Sequence, residues 1–300
     1  MSWKRTIRWF AAIVAGLILV AIVTVAVLLH SARFHQYVLS TAERIATEKI
    51  GAPVTAQDFV LHFESLGLDL YGVRVLGANG PAYPPVLQVD HIGAGFKIIS
   101  ILKRDLRLNH LQLDHPVVHL TVDAQGNSNL PTPEPSGGSQ TDVFALAVQD
   151  ARLDRGEIYY NNRKSALDAD LHALAIRTQF DNLNPRYFGT LGYREGHLRY
   201  DDFDPIPHDL DVQFEATRQE FTFNKVELAS GPSHLSLTAT LESYAQPQVQ
   251  GNYLASIDTD EFRKAMKMPS LPRGAIQVKG TLNYRTDPNR PDRPFIETVT

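Results

Sequence analysis

The chain has 300 residues, no cysteine and a formal net charge of −4. The missing cysteines exclude disulfide frameworks, CxxC redox motifs, cysteine-ligated zinc and cysteine nucleophiles. The charge gives no electrostatic reason to expect nucleic acid as a partner. With 19 glycines, 18 prolines and 9% aromatics the composition is that of a folded, β-rich chain of one or two domains, held together by packing and sheet hydrogen bonds alone.

The first element expected is a membrane span. Trp9–Leu29 is about 21 residues without a charge, long enough as a helix of about 31 Å to cross a bilayer. Lys4, Arg5 and Arg8 precede it and no acidic residue occurs before Glu43. The run exceeds the roughly 7–15 apolar residues of a cleaved signal peptide, and His30–Phe34 offers no A-x-A triplet. The expectation is therefore a cytoplasmic basic flank at 1–8, a transmembrane signal anchor at 9–29 and everything after residue 30 across the membrane.

Residues 31–50 read as a short amphipathic helix, with Phe34, Val38, Ala42, Ile45 and Ile50 near helical spacing. Gly51-Ala52-Pro53 stops it. Its polar face mixes both signs of charge, which suits packing against the first strands better than lying on a membrane surface.

From Val54 the period becomes two. Leu68-Asp69-Leu70 and Val73-Arg74-Val75 alternate around Gly72, and Gly77–Pro81 is a turn cluster. Leu106, Leu108, Leu111 and Leu113 alternate with a slip at Asn109-His110, which implies a bulge. Val118, Leu120 and Val122 follow Pro116. Residues 131–141, rich in Pro, Gly and Ser, read as a linker or long surface loop between a first β region at 30–130 and a second at 142–300. Strand-like runs resume at intervals expected of an antiparallel meander. One helix interrupts them, with Asp258 as N-cap, Glu261 three residues on and Pro269 beyond its end. The chain finishes strand-like at Phe295–Thr300, so it is expected to continue in a longer protein.

No constellation in the sequence points to catalysis or to a metal. His115 and His119 are four apart, but Pro116-Val117-Val118 makes the segment a strand, and that spacing then separates them by about 13 Å. Asp201-Asp202-Phe203-Asp204 lacks the glycine and distal glutamate of an EF-hand loop and reads as an acidic turn. There is no G-x-S-x-G, no H-E-x-x-H and no phosphate-binding glycine loop. The expectation is a non-enzyme without cofactor or metal. A sheet of a dozen or so strands with two short helices must cover its apolar face somehow. It closes as a sandwich or curls into a trough, and periodicity alone favours the sandwich.

Residues 111–130 (LQLDHPVVHLTVDAQGNSNL) resemble the AsmA-like superfamily, which includes AsmA and TamB. The carrying residues are Pro116 opening a strand and a D-x-x-G-x-x-N-L turn at Asp123, Gly126, Asn129 and Leu130. The order of parts is also similar: the anchor, the short helix, Gly51–Val54, the strand pair and Ile98–Leu102. Leu153–Tyr160 with its central glycine, the Phe221–Leu241 hairpin and the Asp258–Met266 helix extend the likeness over most of residues 1–285.

The resemblance implies a mainly β fold: an N-terminal transmembrane helix, then an elongated, curled antiparallel β-groove with a few short helices. It implies an inner-membrane protein with a periplasmic bulk that moves phospholipid toward the outer membrane. It also implies an alternative role as a TamB-like assembly scaffold for outer-membrane proteins, with an outer-membrane protein or assembly complex as partner. On that reading Leu68, Leu70, Leu111, Leu113, Val118, Leu120 and Val122 are expected to line the groove.

Overall fold

The computed structural model describes residues 31–62, 64–96, 108–132, 144, 147–286 and 294–299. Helix α1 (Ala32–Ile50) opens on Ser31, whose hydroxyl accepts from the Phe34 amide, and closes on Gly51 in the left-handed conformation. The strands then follow: β1 (Val54–Thr55), β2 (Asp58–His62), β3 (Gly67–Val75), β4 (Leu87–Phe96), β5 (Leu108–Val122), β6 (Asp150–Asn162) and β7 (Leu167–Asp181). They continue with β8 (Arg186–Tyr200), β9 (Ile206–Ala216), β10 (Glu220–Ser230), β11 (Ser233–Glu242) and β12 (Gln248–Asp258). After helix α2 (Thr259–Ala265) come β13 (Ala275–Thr286) and β14 (Pro294–Val299). All 14 strands belong to one sheet, β3 to β14 lying in chain order, with β1 and β2 both paired to β3.

Three expectations need correction. Among the described residues no helix is long and apolar enough to cross a membrane, so the expected transmembrane helix and single-pass anchoring in the inner membrane are not supported. The stretch expected to span, Trp9–Leu29, lies outside the described residues, as do Ile98–Leu102 and most of the 131–141 loop. Second, the sheet is not wholly antiparallel. β5 and β6 run parallel, His110 opposite Asp150 through Val122 opposite Asn162. Parallel neighbours need a long crossover, and the Pro- and Ser-rich segment between Val122 and Asp150 is that crossover. Third, the sandwich favoured by periodicity is absent. Apart from the contact of α1 with β1, every extensive packing contact joins sheet neighbours, so the described residues form a single layer.

α1 sits on the β1–β2 side. The Val54 amide donates to Thr47 Oγ1 (2.9 Å) and the Ala56 amide to Glu43 Oε1 (2.8 Å). The His35 ring stacks on Phe59 at 4.2 Å. At the opposite end of the meander, the Asp258 carboxylate accepts from the Asp260 and Glu261 amides to start α2. Glu261 does not turn back to complete a capping box. It accepts from the hydroxyls of Ser230 and Ser233 and so ties the helix to the β10–β11 turn. The Asp204 amide in the β8–β9 turn donates to the Ala265 carbonyl, so α2 ties the β8–β9 and β10–β11 turns together at one rim of the sheet.

The long strands bend along a common line. Gly72, His115, Arg155, Ala173 and Glu195 all have positive φ. His115 and Arg155 fall opposite each other within the β5–β6 register, and the β6–β7, β7–β8 and β8–β9 ladders each shift register beside this line. A bulge bends its strand and passes the side-chain alternation from odd to even positions. The left-handed conformation costs a non-glycine residue roughly 1–2 kcal/mol, so four such residues in a row across a sheet mark a fold line held by its surroundings. The phase slip legible at Asn109-His110 is found there: Gly95 pairs with His110 and Phe96 with Leu108, which leaves Asn109 as the extra residue on β5, and a further bend follows at His115.

Candidate functional site

Because paired residues project to the same side of a sheet, the registers assign each side chain to a face. One row runs Leu70, Ile92, Leu113, Leu153, Ile176 and Leu191, strand to strand from β3 to β8. It continues through Val212, Val226, Leu237 and Tyr253 to β12. The row beside it starts Leu68, Ala94, Leu111, Ala151, and beyond the fold line Val75, Leu87, Val118, Ile158 and Leu171 make another. One whole face is apolar. At about 4.8 Å per strand, the ten steps from β3 to β13 give it a length of roughly 48 Å.

This face is turned inward yet not covered. The buried strand residues Val73, Val75, Val89, Leu174, Tyr193, Val212, Ala216 and Ala239 all belong to it, which identifies it as the concave side. Among the described residues only Val89 is fully buried, and toward the last strands Ile276 and Val278 are 49% and 38% exposed. The seven leucines and valines expected to line a groove are all on this face and all half-buried. The structure brings them together in adjacent rows of β3 and β5. It adds what the strand pattern did not reveal, a continuation of the same surface through Phe214, Phe223, Leu237 and Tyr253. His208, the one histidine on it among the described residues, has its pKa lowered by burial, and the Tyr193 hydroxyl lies 2.9 Å from its Nδ1. Burial thus disfavours a charged imidazole at this point of the surface.

The other face is polar and laced with ion pairs. His62 and His91 each bond to Asp69, at 2.6 and 2.9 Å. Arg186 bonds to Glu215 at 2.8 Å and Arg194 to Asp211 at 2.9 Å, while Arg177 pairs with Asp154 and Arg199 with Asp168. Each exposed pair contributes little to stability. Their combined effect is to keep this face in water. Burial raises the Asp69 carboxyl, but the bonds from His91 and His62 outweigh it and hold the pKa below its ordinary 3.8. The Tyr159 hydroxyl donates to Glu157 at 2.6 Å. That bond, assisted by burial, pushes the phenol up to about 12.

His115 and His119 take separate partners on the polar face. His115 lies 2.7 Å from Asp90 and 3.4 Å from Glu157, whereas the His119 ring stacks on Tyr159 at 5.0 Å. The acidic turn at Asp201–Asp204 receives Lys267, whose ammonium donates to the Asp202 carbonyl and pairs with Asp204. Of the turn that closes β5, Asp123 accepts from the Gln125 and Asn127 amides, Gly126 takes φ +97°, and Asn129 is buried. Pro116 is buried opposite Val89. These four residues organise the strand and its end; none of them is placed to do chemistry.

No protein-family model matches the chain, and no curated protein matches it in sequence. The AsmA-like likeness accordingly rests on the ordered motifs of the chain itself.

Proposed function

We propose that the protein shields phospholipid acyl chains on the concave face of its sheet, as an AsmA-like lipid-transport protein. The observation that carries this reading is the uncovered apolar face, continuous over ten strand steps and backed by a charged outer face. Such a surface left to water is costly and calls for an occupant. Burying an acyl chain of about 16 carbons is worth on the order of 13 kcal/mol at roughly 0.8 kcal/mol per CH₂. One leaflet of hydrocarbon is about 15 Å deep, so a surface of roughly 48 Å has room for several tails in file while headgroups remain in water. The scaffold alternative requires a long open edge strand for client strands to join. It has less support at the first edge, where β2 has five residues and α1 lies against β1.

The test is the phospholipid content of the purified 300-residue chain, measured by solvent extraction and native mass spectrometry. Stoichiometric lipid is expected. Leu120→Asp and Leu237→Asp, each placing a charge on the apolar face, should abolish it. Thr238→Asp, the next residue but on the opposite face, should leave it unchanged. A well-folded wild-type chain without lipid, or equal lipid in all three variants, would overturn the reading.

A further inference from the structure

We propose that Asp170, His172 and His197 form a binding site for a zinc-class divalent transition-metal ion on the outer, polar face. Asp170 and His172 are two apart on β7 and project to the same side, and His197 on β8 stands directly opposite Asp170. His172 Nε2 lies 2.9 Å and His197 Nδ1 3.2 Å from the same carboxylate oxygen, Asp170 Oδ2. The three ligand atoms all lie within 4.8 Å of one another, and this is the one such group among the described residues. Around a tetrahedral zinc with bonds of about 2.0–2.2 Å, ligand atoms stand roughly 3.3 Å apart. The triad therefore needs only small side-chain adjustments to close on an ion.

The contrast with Asp69 sharpens the assignment. Asp69 also receives two histidines, but His62 bonds to one of its oxygens and His91 to the other, so those two imidazoles do not converge on one point. At Asp170 both meet at one oxygen. Two imidazoles and one carboxylate suit zinc, nickel or copper and not calcium or magnesium, which favour oxygen ligands. Three protein ligands leave a fourth position for water. The side chains are 30%, 37% and 42% exposed for His172, Asp170 and His197, so an ion can enter from solvent. The Tyr159 and His172 rings pack in a T-shaped pair with centroids 5.7 Å apart, which restricts the rotation of His172.

The position gives such an ion a structural task. The β7–β8 register shifts on both sides of the His172–Arg194 pair, and regular pairing resumes only at Ala175–Gly192. The ladder is thus interrupted where the strands bend at Ala173 and Glu195. An ion held by Asp170 and His172 on one strand and His197 on the other would clamp the two strands at that interruption. The site lies on the outer face and does not depend on what fills the concave one.

Zinc chloride titrated calorimetrically into the full 300-residue chain, free of any histidine tag and stripped with EDTA, tests the proposal. One zinc per chain is expected, confirmed by elemental analysis after desalting, with a rise in Tm. His172→Gln and His197→Gln should each weaken binding at least about tenfold, whereas His62→Gln should not. Should a variant fail to fold, the wild-type chain still decides: zinc should move the imidazole NMR signals of His172 and His197 and not those of His62 or His91. Absence of stoichiometric zinc, binding that survives both substitutions, or shifts confined to other histidines would each overturn the site.

Discussion

At the scale of single residues, the outer face carries a set of histidine–carboxylate pairs. His115 has its pKa raised above the ordinary 6.5, first by its hydrogen bond to Asp90, then against the opposing effect of burial by the bond to Glu157. A raised histidine favours the folded state most when protonated. Its contribution is complete below the unfolded value of about 6.5 and disappears as pH rises through the folded value. His115 should therefore titrate above 6.5 in an NMR pH series, and Asp90→Asn should bring it down while leaving the fold intact. A His115 titration unchanged by Asp90→Asn would show that the pairing does not hold in solution. None of this could be read from the sequence, where Asp90 and His115 are 25 residues apart. The Asp170–His172–His197 cluster was not legible for the same reason. Asp170 and His172 share a strand face by simple alternation, but which later histidine lies opposite them depends on register shifts that one strand cannot disclose.

At the scale of elements, the end of β5 shows a motif doing structural work. The Asn129 side chain accepts from the Thr121 amide at 2.9 Å and donates to the His119 carbonyl at 2.8 Å. It thereby takes the place of a neighbouring strand where the β4 pairing has ended. It is only 4% exposed. Its own carbonyl accepts from the Ala78 amide, which secures the β3–β4 connection as well. Asn129→Ala leaves two backbone groups without partners in a site with little water, a loss of about 2–4 kcal/mol. Asp123→Ala, in an exposed turn, should cost less than about 1 kcal/mol. Urea denaturation of the two variants checks the ranking, and equal costs would count against the strand-capping role. The elements themselves were legible: α1 from its stripe and its Gly51 stop, α2 from Asp258, most strands from period two. The parallel β5–β6 pair was not, because direction of pairing is set by where the 123–149 segment returns, and its Pro-Ser composition carries no signal of that.

At the scale of the whole molecule, periodicity correctly separated an apolar face from a polar one but favoured covering the former with a second sheet. The choice was not legible because alternation reports which residues share a face and is silent on what lies against it. What decides is the line of bends at Gly72, His115, Arg155, Ala173 and Glu195, which curls the single layer without providing a second one. A single-layer sheet has a thermodynamic signature. The heat-capacity change of unfolding scales mainly with newly exposed apolar area, and compact proteins give about 12–15 cal/mol/K per residue. Here much of the apolar face is only half-buried before unfolding begins, so calorimetry of the lipid-free chain should give a value clearly below that range. Loading with phospholipid should raise both Tm and the heat-capacity change, because ligand stabilises the folded state alone and removes that face from water. A lipid-free chain already within the ordinary range would mean that the apolar face is covered in solution, and the open groove would have to be abandoned.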